Sequence, residues 1–171
     1  MSMKALFLIT FLLISPAGYT QNVLTINELI KLLDMSDDRL DTYLTARGFF
    51  FNKSTEDEFR QACKSYDREG KKFSNEWRFR KCNVYNSDNT TVHSKRVEYS
   101  TKRTKEYLAL KGELNRLGFK YIESFTSTGG LSLAYKKGKI SVVLMPSMDN
   151  GSEGEKTDSP DYFVSISKLT D

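Results

Sequence analysis

The chain has only two cysteines, Cys63 and Cys82, placed on either side of a polar turn at Glu69–Lys72. If the cysteines pair across an antiparallel hairpin over that turn, residues whose numbers sum to 145 face each other. Opposed Cβ atoms in such a ladder lie about 4.5–5.5 Å apart, so small adjustments reach the roughly 3.8 Å of a disulfide. A bond there fixes the register of two strands, and with it which side chains share a face. The spacing does not suit CxxC redox chemistry, and two thiols with a single histidine cannot build a four-ligand zinc site.

A disulfide implies an oxidising compartment, and the first residues agree. Lys4 precedes the apolar run Ala5–Ile14, followed by Ser-Pro-Ala-Gly. This reads as a secretory signal cut near Thr20/Gln21, because a membrane-spanning helix needs about 20 apolar residues. The remaining residues 21–171 suffice for one domain with a sizeable core, made of two repeats at about 36–101 and 102–168.

Helix signals open the exported part. Thr25-Ile-Asn-Glu28 has the form of a capping box, and Leu24 and Leu29 that of a hydrophobic staple, so a helix is expected to about Asp34. Ser36 is placed to cap a second, with Asp37 and Asp38 at its positive end, the stripe Leu40, Tyr43 and Leu44, and Gly48 closing it. A third is expected from Lys102 to Leu117, with Tyr107, Leu110, Leu114 and Leu117 on one side and Gly118 at its end.

Between and after these helices come short apolar and aromatic runs that suit strands: Phe49–Phe51, about 59–66, Trp77–Tyr85, His93–Tyr99, Phe119–Phe125, Leu131–Tyr135, Ile140–Met145 and Tyr162–Ser167. The segment 58–66 also fits a helix through Phe59, Ala62, Cys63 and Tyr66; the cysteine sum favours a strand. At an offset of 70, Leu40, Leu44, Gly48, Phe49 and Phe51 fall on Leu110, Leu114, Gly118, Phe119 and Tyr121. The expected fold is therefore α+β: a tandem repeat of a helix plus a four-stranded antiparallel sheet, with helices packed on one sheet face. In layout this resembles the β-lactamase inhibitor proteins, secreted inhibitors built from two tandem helix-plus-four-strand repeats. The resemblance rests on element order, the helix–Gly–Phe junction and one disulfide-sized loop. It implies a binding role and carries over no binding residues.

Catalytic chemistry finds little support. His93 is the only histidine and sits in an expected strand without a nucleophile motif such as GxSxG. The acids at 56–58 and at Asp34, Asp37, Asp38 and Asp41 could supply a carboxylate pair, but the second group marks a helix start. The 149–155 segment lacks the spacing of a calcium loop, no phosphate-binding glycine loop is present, and no metal or cofactor is expected. Asn52, Asn89 and Asn150 begin N-x-S/T triplets, which matter only in a host that glycosylates exported proteins.

Charge is unevenly placed. Residues 64–105 hold twelve basic and five acidic side chains, a net +7, whereas 21–63 net −3 and 145–171 net −4. Arg78, Arg80, Lys95, Arg96, Lys102 and Arg103 are accordingly the expected contact surface, the first four being assigned to one sheet face. The reading is an exported, non-enzymatic binding protein of the cell envelope or extracellular space with a protein partner. The alternative is a binder of anionic envelope polymers through a basic face, and a small hydrolase stands third. No specific nucleic acid is expected as a partner.

Overall fold

The computed structural model describes residues 23–56, 61–69, 75–85, 92–127, 130–146 and 162–170. The expected leader and its cut, the Glu69–Lys72 turn in large part, the triplets at Asn89 and Asn150 and the acidic stretch 147–161 lie outside the described residues.

Two helices, α1 (Ile26–Leu33) and α2 (Asp37–Thr45), precede four strands: β1 (Phe50–Glu56), β2 (Gln61–Glu69), β3 (Asn75–Tyr85) and β4 (Val92–Thr101). The third helix, α3 (Thr104–Arg116), leads into β5 (Lys120–Ser127), β6 (Gly130–Lys137), β7 (Ile140–Pro146) and β8 (Tyr162–Leu169). All eight strands join one antiparallel sheet in the order β1-β2-β3-β4-β8-β7-β6-β5.

That sheet corrects the expected architecture. The chain is not a tandem repeat of a helix plus a four-stranded sheet. β4 pairs with β8 along eight residues, from Ser94 opposite Leu169 to Thr101 opposite Tyr162, so the free edges that two separate sheets would present there do not exist. The helices are few and unevenly distributed, two before β1 and one between β4 and β5. Sealing β4 to β8 satisfies backbone groups that an edge would leave open, which favours one continuous sheet.

The segment left open between strand and helix is a strand over Gln61–Glu69. Its pairing with β3 keeps the sum of 145 from Gln61 opposite Val84 to Arg68 opposite Trp77. Cys63 and Cys82 are directly opposed and bonded, with Cα atoms 4.2 Å apart.

α1 begins with the expected reciprocal cap: Thr25 Oγ1 accepts from the Glu28 amide at 3.2 Å, and Glu28 Oε2 accepts from the Thr25 amide at 2.9 Å. Ser36, by contrast, makes no side-chain cap bond at α2. α2 and α3 end alike, with Gly48 (φ 79°) and Gly118 (φ 77°) in the left-handed region and the next amide returning to Leu44 or Leu114. A side chain at either position would strain the turn, which is why glycine closes both.

The helices all lie on one face. Leu29, Leu32, Leu33, Leu40, Leu44, Leu110 and Leu114 bury against Tyr66, Phe79, Val97, Tyr99, Tyr135, Val142, Leu144, Val164 and Ile166. Alternation along each strand sends the intervening residues to the opposite face, over which no described helix passes.

Candidate functional site

The register lays the open face out in rows. One row runs Lys53, Ser65, Arg80, Glu98 and Ser165 across β1, β2, β3, β4 and β8. The next runs Phe50, Asp67, Arg78, Ser100 and Phe163. All of these residues except Phe50 and Ser165 line, with Asn52 and Phe79, a hollow of about 380 Å³, within the size range of small-ligand sites.

Its charges are arranged in pairs. Asp67, only 6 % exposed, accepts from Asn52 Nδ2 at 2.5 Å and has Arg78 Nε 3.9 Å away. Glu98 lies between two arginines, 3.7 Å from Arg80 Nη1 and 3.1 Å from Arg96 Nε. Arg78 remains well exposed and Arg80 partly so. The half-exposed Arg80–Glu98 pair contributes about 0–1 kcal/mol to stability, so Arg80 can be re-engaged by an incoming anion at small cost to the fold, and the buried Asp67 keeps Asn52 as a partner when Arg78 turns to a ligand.

The expected basic surface is thus divided. Arg78, Arg80 and Arg96 share the open face, but Lys95 points to the helix face and sits 3.1 Å from Asp34. Assigning it to the same face was an error of parity, since neighbours in a strand point to opposite sides. Lys102 follows β4. Arg103 precedes α3, stacks at 4.4 Å over the Trp77 ring and lies 3.7 Å from Glu106.

Two polar clusters on the helix side absorb much of the remaining charge. Lys64, Lys81, Lys95 and Lys168 meet Asp34, Asp37 and Asp41 at the α1–α2 junction. Burial pushes the Lys81 amine below its ordinary pKa, partly offset by Asp37. Hydrogen bonding from Lys168, with further help from Lys95, holds the Asp34 carboxyl below its usual range. At the far end of the sheet the buried Glu106 carboxylate accepts from Trp77 Nε1 and Thr101 Oγ1, both at 2.8 Å, while Arg68 stacks at 3.8 Å on Trp77. Burial, and then the neighbouring Glu106, raises the Tyr99 phenol.

The sequence does not single out Asp67, Glu98, Ser65, Ser100 or Lys53, and it marks Asn52 only as the start of an N-x-S/T triplet. The sum of 145 already placed Asp67 opposite Arg78 and Ser65 opposite Arg80, so the pairing that located the disulfide also pointed to this hollow. His93 is exposed near the start of β4, a central strand. Among the described residues no group of His, Cys, Asp or Glu side chains is placed to hold a metal ion. No described helix is long and apolar enough to cross a membrane. The bonded cysteine pair is compatible with an extracellular location.

No protein-family model, curated protein or solved structure matches the chain. The layout resemblance to the β-lactamase inhibitor proteins therefore gains no support from a structural neighbour.

Proposed function

We propose that the chain is an exported, non-enzymatic binding protein and that a protein partner docks on its open sheet face. One observation carries the reading: the face opposite the helices holds a polar hollow whose guanidinium and carboxylate groups are only loosely satisfied by one another. Export is supported by the apolar run after Lys4 and by the bonded cysteines. A binding rather than catalytic role is supported by the histidine's position. His93 is five residues from Glu98 along β4, about 16 Å, so the hollow's serines have no imidazole beside them.

The mixed charge favours a protein over an anionic polymer, because Asp67 and Glu98 would face the polymer's own negative groups. The test is capture of partners from envelope or extracellular extract by the disulfide-bonded protein at low and high salt, followed by arginine-selective labelling of the complex. A protein should be retained and should protect Arg78, Arg80 and Arg96, leaving Arg39 and Arg116 reactive. Protection confined to the helix side, or capture only of an anionic polymer that salt releases, would overturn the reading.

A further inference from the structure

Arg78 and Arg80 stand two residues apart on β3 and point to the same side. Neither guanidinium is used up. The approach of Arg78 to Asp67 is by Nε, at 3.9 Å, and that of Arg80 to Glu98 by Nη1, at 3.7 Å. Both distances exceed those of a good hydrogen bond, so among the described residues the forks keep N–H donors to offer a ligand. The two carboxylates beneath them act as positioning groups. Asp67 is itself anchored by Asn52, and Glu98 by Arg96 at 3.1 Å.

Charge favours a carboxylate as the occupant. The hollow is lined by Lys53, Arg78 and Arg80 against Asp67 and Glu98, and Arg96, outside the lining, holds Glu98 at 3.1 Å, so the local balance is positive. The guanidiniums match one incoming carboxylate, while the two resident carboxylates work against a more highly charged anion such as phosphate. Ser65 and Ser100 stand beside Arg80 and Arg78 in the register, and Phe163 lines the hollow on its β8 side, which suits a short aliphatic stem carrying the carboxylate.

The geometry points to a carboxylate pocket: Arg78 and Arg80 form a two-guanidinium clamp that receives an Asp or Glu side chain of the docking protein, oriented by Asp67 and Glu98. This rests on the protein-partner reading and names the group that partner must present. Forked guanidinium–carboxylate bonds are directional, so the pocket sets which residue of a partner loop enters it.

The test uses the α-methylamide of N-acetyl-glutamate, whose side chain holds its only carboxylate, titrated into the protein while the arginine Nε–H signals are followed by NMR. The Arg78 and Arg80 signals should shift and saturate in the low millimolar range expected for a fragment of this size. The matching glutamine methylamide, which carries no charge, should bind more weakly. R80Q should weaken binding of the glutamate methylamide roughly tenfold or more, the worth of one charge-assisted bond. This variant is chosen because Glu98 keeps Arg96 beside it and the fold retains a partner for that carboxylate. R80K should fall between, keeping charge but losing the fork. Absence of saturation, equal binding of the glutamine analogue, or an unaffected R80Q would overturn the pocket. Inorganic phosphate binding ten times more tightly than the glutamate methylamide would overturn the carboxylate assignment. The two readings fail separately. A probe that binds while no captured protein protects the face leaves the pocket and removes the protein partner. A protein that protects the face equally in R80Q, with no probe binding, leaves the docking face and removes the pocket.

Discussion

Glu113 on α3 is the residue whose loss best tests how the helices are tied together. Its Oε2 accepts from the Ile26 amide at 2.9 Å and its Oε1 from the Asn27 amide at 3.4 Å. The Thr25 and Glu28 amides are satisfied within the capping box, so Glu113 supplies the two first-turn partners that the box leaves out. Glu113→Ala would strand the Ile26 amide beside a fully buried side chain. A charge-assisted bond of this kind is worth about 1.5–3 kcal/mol, and an anion at a helix N-terminus adds about 0.3–1. Alanine's better helix propensity returns a few tenths within α3, opposite in sign, so the net loss should be about 2 kcal/mol. Glu113→Gln keeps an acceptor and loses the charge, for about 0.5–1 kcal/mol. Urea melts followed by fluorescence of Trp77, the only tryptophan, give both numbers, and amide exchange at Ile26 and Asn27 reports whether α1 loosens first. A Glu113→Ala variant within about 0.3 kcal/mol of the parent protein would refute the cross-helix cap, since the remaining local effect has the opposite sign.

Two further outcomes are expected. Reducing the Cys63–Cys82 bond, which closes a loop with a sequence separation of 19, should lower stability by about 2–4 kcal/mol, and thiol titration of protein isolated from its producing cells should find no free cysteine; two reactive thiols would refute this. Acid should unfold the protein partly through Asp34 and Glu28: burial raises Glu28, but bonds from Thr25, Tyr43 and Arg47 outweigh it, so both carboxyls sit below their ordinary 3.8 and 4.5. Their stabilisation is complete above those values and is lost as pH falls through the lower folded ones, so melts should weaken below about pH 4.5 and Asp34→Asn should flatten that slope.

Local chemistry was legible wherever it was written in adjacent residues. The Thr25–Glu28 box and the glycines after α2 and α3 appear as read, because caps and left-handed turns depend on a few neighbouring positions. The β2–β3 register followed from two cysteines and one turn. The β4–β8 pairing left no such trace: its partners are distant in sequence, no turn joins them, and the apolar pattern of Tyr162–Leu169 suits any neighbour. Similar helix ends at Gly48 and Gly118 suggested separate units, yet a helix end says nothing about which strands seal to each other. Glu113 was hidden for the same reason, its amides lying 86 and 87 residues away.

The basic run from 64 to 105 shows why a charge count overstates an anion-attracting surface. Strand alternation divides it between two faces, and the helix-side members are spoken for. Lys64, Lys81 and Lys95 hold the acids of the α1–α2 junction, while Arg68 and Arg103 stack on Trp77. The open face keeps Arg78, Arg80 and Arg96, and it also keeps Asp67 and Glu98, acids that the +7 total had already subtracted without placing. Diffuse attraction for a polyanion falls as those acids are set among the arginines, whereas the direction in which each guanidinium points is sharpened by them. The same five side chains that weaken the face as a polymer track therefore make it more selective as a receptor for one well-placed carboxylate.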